Sequence, residues 1–105
     1  MVKRMNNKVE DKQDRWVNQD TDALFRAILK LKNLSETHRF FRDLLTEKEI
    51  GEFGQRWKVA RMLAKRIRYT KIAQETGMSS TTIARVHKWL KNGMGGYKLV
   101  LERLK

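Results

Sequence analysis

The most constraining stretch of this chain runs from Tyr69 to Leu90, where two short helical patterns meet at a glycine. Ala73 is small where two helices must cross closely, and Gly77 supplies the positive φ that a tight turn between helices favours. Apolar residues fall where they would hold the second helix against its neighbours: Ile72, Met78, Ile83 and Val86. Small, polar or basic residues fill the other positions: Ser79, Ser80, Thr81, Thr82, Ala84, Arg85 and Lys88. The pattern predicts a helix-turn-helix over about residues 69–90 whose second helix can face the major groove of DNA.

Positive charge is concentrated in the same half of the chain. The 105 residues carry a formal net charge of +12. Residues 54–98 contain eleven Lys or Arg and a single acid, Glu75, whereas residues 1–53 hold eleven basic and ten acidic side chains. A charge pattern that serves only solubility would mix the signs throughout. A basic half that coincides with the helix-turn-helix is typical of a protein with a polyphosphate partner.

The absence of proline and of strand-like alternation predicts an all-α fold, a small helical bundle. Residues 1–19 are mostly polar, with Trp16 and Val17 as isolated apolar groups, and are predicted to form a flexible extension, with one helical domain over residues 20–105. Outside the helix-turn-helix, helices are predicted at about 22–32, 35–45, 46–67 and 97–105, with Ser35 as N-cap of the second. Thr46 and Glu49 match a capping box at the start of the third. That helix carries an apolar stripe: Ile50, Phe53, Trp57, Ala60, Leu63, Ala64 and Ile67.

The first, second and last predicted helices have more large apolar residues than a minimal three-helix domain can bury. An intertwined homodimer that shares these helices is the simplest solution. Its symmetry would place two recognition helices about 34 Å apart, one turn of DNA.

Several segments resemble a known family. The runs at residues 45–50 and 54–59, followed by the helix-turn-helix, resemble the bacterial Trp repressor superfamily. The tail at residues 92–104 and the opening at residues 24–33 are similar to its YerC/YecD branch. The resemblance covers about residues 20–105, and it implies an interlocked, all-helical homodimer that regulates transcription by binding operator DNA.

The resemblance also bears on a corepressor. In the repressor, residue types matching Thr46, Arg56 and Arg85 help to form the L-tryptophan pocket. The residue after the last of these is glycine in the repressor and Val86 here, so two methyl groups would project where an indole needs space. We therefore expect neither L-tryptophan nor another cofactor, while an unidentified small-molecule effector remains open.

The predicted DNA contacts divide into two sets. Ser80, Thr81, Ala84 and Arg85 would lie nearest the base edges, with Arg85 placed for bidentate contact to guanine. The predicted phosphate contacts set position and salt dependence: Arg56, Lys58, Thr70, Lys71, Ser79 and Lys88. Ser79 is also the predicted N-cap of the second helix of the helix-turn-helix. For Arg85, a phosphate contact or an internal ion pair is the alternative. The resulting hypothesis is a sequence-specific DNA-binding transcriptional regulator, a repressor.

Other classes of protein fit less well. An RNA-binding or ribosome-associated basic protein without sequence readout would use the same charge, but exposed aromatic platforms or a glycine clamp loop are not evident. A helix-turn-helix can also act as an adaptor surface for another protein. An enzyme is not expected, because the chain shows no Ser/His/Asp grouping, phosphate loop or paired carboxylates. His87 flanks Arg85 and Lys88 and could approach a phosphate, but it has no metal-ligand partner at a suitable spacing.

The sequence also bears on location. No apolar run approaches the roughly 18 residues of a membrane span, and the first residues lack the apolar core of a secretory signal. The expected location is the bacterial cytoplasm, at the nucleoid when the protein is bound to DNA, without a membrane partner.

Overall fold

The computed structural model describes residues 15–105 and contains six α-helices and no strand within them. The helices are α1 (Gln19–Ile28), α2 (Leu34–Leu44), α3 (Glu47–Ala64), α4 (Tyr69–Thr76), α5 (Ser80–Asn92) and α6 (Gly96–Arg103). The all-α prediction is confirmed. The chain divides into two units, one ending at Leu44 and one beginning at Leu45. The predicted flexible extension lies largely outside the described residues and stays a prediction.

The first unit, as described, consists of α1 and α2. α1 begins three residues before the predicted start, because Asn18 and Thr21 form a reciprocal capping box with two hydrogen bonds of 2.9 Å. The N-cap prediction for Ser35 is wrong. Asn33 performs that role, since its side-chain oxygen accepts the Glu36 backbone N–H at 2.9 Å, and Ser35 lies inside α2.

No side chain of this first unit is buried within the described residues. Large apolar side chains are instead exposed on both helices and beside them: Phe25, Leu29, Leu34 and Leu44. The described residues of α1 and α2 therefore form no core of their own.

The second unit is built around the C-terminal half of α3. The capping box that opens this helix is confirmed, since Thr46 N–H donates to Glu49 Oε1 at 2.9 Å and Glu49 N–H donates to Thr46 Oγ1 at 3.1 Å. The first of these bonds, aided by the Thr46 hydroxyl, lowers the pKa of Glu49. The carboxylate form is therefore the one that closes the start of α3.

α3 ends at Ala64, three residues before the predicted end. Arg66 adopts a left-handed conformation with φ of 61°, and Ile67 N–H donates back to Met62 O at 3.1 Å. Arg66 N–H donates to Leu63 O at 2.9 Å, which completes a Schellman-type end. The reversal carries the chain into α4 and turns Ile67 toward the core.

The core of this unit is a single cluster: Val59, Ala60, Met62, Leu63, Ile72, Ile83 and Val86. It differs from the predicted stripe, because Val59 and Met62 are buried while Phe53 and Ala64 are exposed. The buried residues of α3 all lie in its C-terminal half, whereas Phe53 in its N-terminal half is 48% exposed.

Candidate nucleic-acid interface

α4 ends in the predicted turn. Gly77 has φ of 74°, and its N–H donates to Ala73 O at 2.8 Å. A side chain at this φ would be strained, which is why glycine suits the position. Thr76 reinforces the turn, since its hydroxyl donates to Ile72 O at 2.7 Å and accepts Met78 N–H at 3.2 Å. The turn prediction is confirmed.

Ser79 is the N-cap of α5, as predicted. Its hydroxyl oxygen accepts the Thr82 backbone N–H at 3.2 Å, and its O–H donates to Thr82 Oγ1 at 3.1 Å. The hydroxyls of Ser79 and Thr82 thus bond to each other. The Ser79 hydroxyl is engaged in capping, so a phosphate that contacts Ser79 would have to share this hydroxyl with Thr82.

The inward faces of α4 and α5 hold the helix-turn-helix against α3. Ile72 and Ile83 have no exposed surface and Val86 is 1% exposed, packed in one cluster with Val59 and Leu63. This confirms the prediction that Ile72, Ile83 and Val86 are structural. Because these side chains are fully enclosed, the rotation of α5 about its own axis is fixed, and the face opposite the core is the exposed one.

A further contact between the two helices was not predicted. Tyr69 Oη and His87 Nδ1 lie 2.7 Å apart, and their rings meet edge to face at 5.8 Å between centroids. The His87 side chain therefore lies against α4, whereas the sequence analysis suggested that it could approach a phosphate. The residues are eighteen positions apart, so no local spacing pattern signals the pair.

The predicted base-contact residues lie together on the exposed side of α5. Ser80, Thr81, Ala84 and Arg85 are all exposed, and Lys88 is exposed on the same helix. Arg85 forms no ion pair or hydrogen bond with any residue between 15 and 105. This removes the internal ion pair from the alternatives for Arg85 within the described chain.

The remaining predicted phosphate contacts lie on α3 and α4. Thr70 and Lys71 are exposed near the start of α4, and Lys71 Nζ is 3.2 Å from Glu75 Oε2. On α3, Arg56 is exposed with its guanidinium 5.6 Å from the Phe53 ring centre, and Lys58 is half-buried. The structure thus divides the predicted contacts between α5 and the two helices that support it.

An apolar groove of about 560 Å³ opens beside the C-terminal end of α5. The rings of Trp57 and Tyr97 stack with 6.0 Å between their centres and line the groove, together with Trp89, Met94 and Val100. Trp89 is 45% exposed.

Among the described helices, none has the length and apolar character to cross a membrane, and residues 15–105 hold no grouping of three metal-ligating side chains.

Comparisons with known proteins agree on one family. The family model for the Trp repressor protein matches residues 19–105. YerC, an uncharacterised protein of Bacillus subtilis, is 46% identical over 92 residues, which cover 88% of each chain.

Two solved structures are also similar. A TrpR-like protein from Eubacterium eligens superimposes with a TM-score of 0.82 at 44% identity, covering 87% of this chain and 94% of the other. A candidate Trp repressor of Staphylococcus aureus gives a TM-score of 0.81 at 40% identity, covering 87% and 91%. Sequence and fold therefore point to the same relatives.

Proposed function

Because the chain belongs to the Trp repressor family of DNA-binding regulators, we propose that it is a sequence-specific transcriptional repressor that binds operator DNA as a homodimer. The observation that carries the proposal is the orientation of α5. Its apolar side is enclosed in the core, and its other side presents hydroxyls, a methyl group and cations without acidic partners. These groups suit contact with base edges and phosphates.

The exposed apolar surfaces support the homodimer. α1 and α2 bury none of their own described side chains, and the last helical segment leaves Leu99, Val100 and Leu104 between 44% and 65% exposed. A second copy of the chain would supply the missing cover for both sets. Two-fold symmetry would then present two α5 helices to successive major grooves.

L-Tryptophan is not part of the proposal. Val86 is 1% exposed and enclosed in the core cluster, so its side chain cannot turn aside to admit an indole. Thr46 is likewise engaged in the capping box with Glu49. We propose that the protein binds DNA without this corepressor.

Site selection from a random duplex pool at near-physiological salt tests the proposal. We expect enrichment of a palindrome with half-sites about one helical turn apart, and a solution mass of two chains. Adding L-tryptophan should change neither the motif nor the affinity. Featureless binding, a preference for RNA over duplex DNA, or a solution mass of one chain would contradict the proposal.

The ion pair on α4 gives a second prediction. Glu75 is the only acid between residues 54 and 98, and it holds the Lys71 ammonium at 3.2 Å. Both side chains are more than two-fifths exposed, so the pair contributes only about 0.3–0.5 kcal/mol to folding. Glu75→Gln should therefore leave stability nearly unchanged and strengthen DNA binding about two- to five-fold at low salt, because Lys71 is released and a repulsive charge removed.

Glu102→Gln is the matched control. Glu102 forms a similar exposed pair with Lys105 at 3.3 Å near the end of α6, so this variant changes the net charge equally without affecting α4. Fluorescence anisotropy with a labelled duplex measures both variants. Equal affinity gains would show that net charge alone matters and that Glu75 has no local effect on Lys71.

A further inference from the structure

Three side chains of α5 form one row on the side that faces away from the core. Ile83 and Val86 are enclosed, whereas Thr81, Arg85 and Lys88 are exposed on the opposite side. Lys88 follows Thr81 by seven positions, and seven positions fall only about 20° short of two helical turns. The α carbon of Lys88 therefore lies almost in line with that of Thr81, at the centre of the exposed side.

The flanking lysine of α5 provides a contrast. Lys91 follows Thr81 by ten positions, which places it about 80° away around the helix axis. At the N-terminal end of a helix that lies in the major groove, residues beside the centre, such as Ser80, can also reach base edges. Farther along the helix, the centre of the exposed side lies nearer the base edges than its flanks do, and the flanks lie nearer the phosphates. By position, Lys88 belongs to the first group and Lys91 to the second.

The charges of Arg85 and Lys88 are not used within the protein. Neither side chain forms an ion pair with any residue between 15 and 105, whereas Lys71 is held by Glu75. Two cations three positions apart on a helix repel each other, and no acid occurs between Glu75 and Glu102 to offset them. The pair is therefore best explained by acceptors outside the chain.

The spacing of the two cations is compatible with contact to adjacent or next-adjacent base pairs. Three helical positions give a rise of about 4.5 Å, which lies between one and two of the roughly 3.4 Å steps between base pairs of DNA. Ala84, on the same exposed side, is too short to obstruct either long side chain. Arginine and lysine both bond the O6 and N7 acceptors of guanine.

We propose that Lys88 reads a guanine, next to the guanine read by Arg85, so that each operator half-site contains two guanines in adjacent or next-adjacent base pairs. This inference rests on the proposed function and extends it. It also replaces the prediction that Lys88 contacts a phosphate.

The test repeats the duplex selection with the full-length protein and three variants: Arg85→Ala, Lys88→Ala and Lys91→Ala. All three residues are exposed, so thermal melting should show equal folding. Lys88→Ala should lose the preference for one guanine, by at least about five-fold, at a position neighbouring the one that Arg85→Ala affects. Lys91→Ala removes the same charge and should weaken all duplexes alike without changing the motif.

A chemical substitution in the DNA gives a second readout. Replacing the guanine assigned to Lys88 with 7-deazaguanine removes its N7 acceptor, which should weaken the wild-type protein but not Lys88→Ala. If Lys88→Ala keeps the full motif and behaves like Lys91→Ala, Lys88 is a phosphate contact and the inference is wrong while the proposed function stands. If the wild-type protein selects no motif at all, the proposed function itself fails.

Discussion

Gly93→Ala should lower the free energy of unfolding by about 1–3 kcal/mol and displace α6 from α3. A Cβ at this position would lie 2.4 Å from the carbonyl oxygen of Trp89. The clash is with backbone. The Gly93 N–H already donates to the same Trp89 oxygen at 2.8 Å, so residue 93 cannot move away from Trp89 without breaking the hydrogen bond that ends α5. Urea denaturation measures the stability, and tryptophan fluorescence reports on the packing, because Trp57 stacks on Tyr97 of α6.

Gly54→Ala is the control for this prediction. Gly54 lies inside α3, and a Cβ added there would meet no atom within 4 Å, so alanine should stabilise the helix by about 0.5–1 kcal/mol. The two variants add the same methyl group and should shift stability in opposite directions. Unchanged stability and fluorescence in Gly93→Ala would show that the junction between α5 and α6 adapts freely, contrary to the prediction.

Several parts of the fold that short-range rules govern were predicted from the sequence, but the Asn18–Thr21 capping box of α1 and the left-handed end of α3 at Arg66 were not. The Thr46–Glu49 capping box, the left-handed turn at Gly77 and the Ser79 N-cap all depend on residues within four positions of each other. The inward face of the helix-turn-helix followed from its helical spacing. These features also fix which side of α5 is exposed, so the placement of Ser80, Thr81, Ala84 and Arg85 on that side could be foreseen, although their contacts with DNA remain predictions.

The other errors arose where two nearby residues compete or where contacts are distant in sequence. Asn33 and Ser35 are both good N-caps, and the helix begins after Asn33 because that side chain accepts the Glu36 backbone N–H. The predicted apolar stripe of α3 included Phe53, which is 48% exposed, because helical periodicity does not reveal how much of a helix its neighbours cover. The Tyr69–His87 bond has no sequence signature at all.

Salt should have a larger effect on DNA binding than any single substitution. Residues 54–98 carry a net charge of +10, and a homodimer would present this charge twice. If six to ten phosphates are contacted, affinity for duplex DNA should fall about 10³- to 10⁵-fold between 50 and 200 mM salt, because each neutralised phosphate releases condensed counterions. Anisotropy titrations at four or five salt concentrations give the slope of log K against log salt.

Arg56→Gln separates phosphate contacts from net charge in the same experiment. If Arg56 neutralises one phosphate in each protomer, its removal should reduce the magnitude of the slope by about one for each phosphate that is no longer neutralised. Lys48→Gln, which changes an exposed lysine in the first turn of α3 outside the basic segment, should leave the slope unchanged. Equal slopes for both variants would remove Arg56 from the DNA-binding surface, because only a residue that displaces counterions can change the slope. Arg56 would then be assigned to its contact with the Phe53 ring.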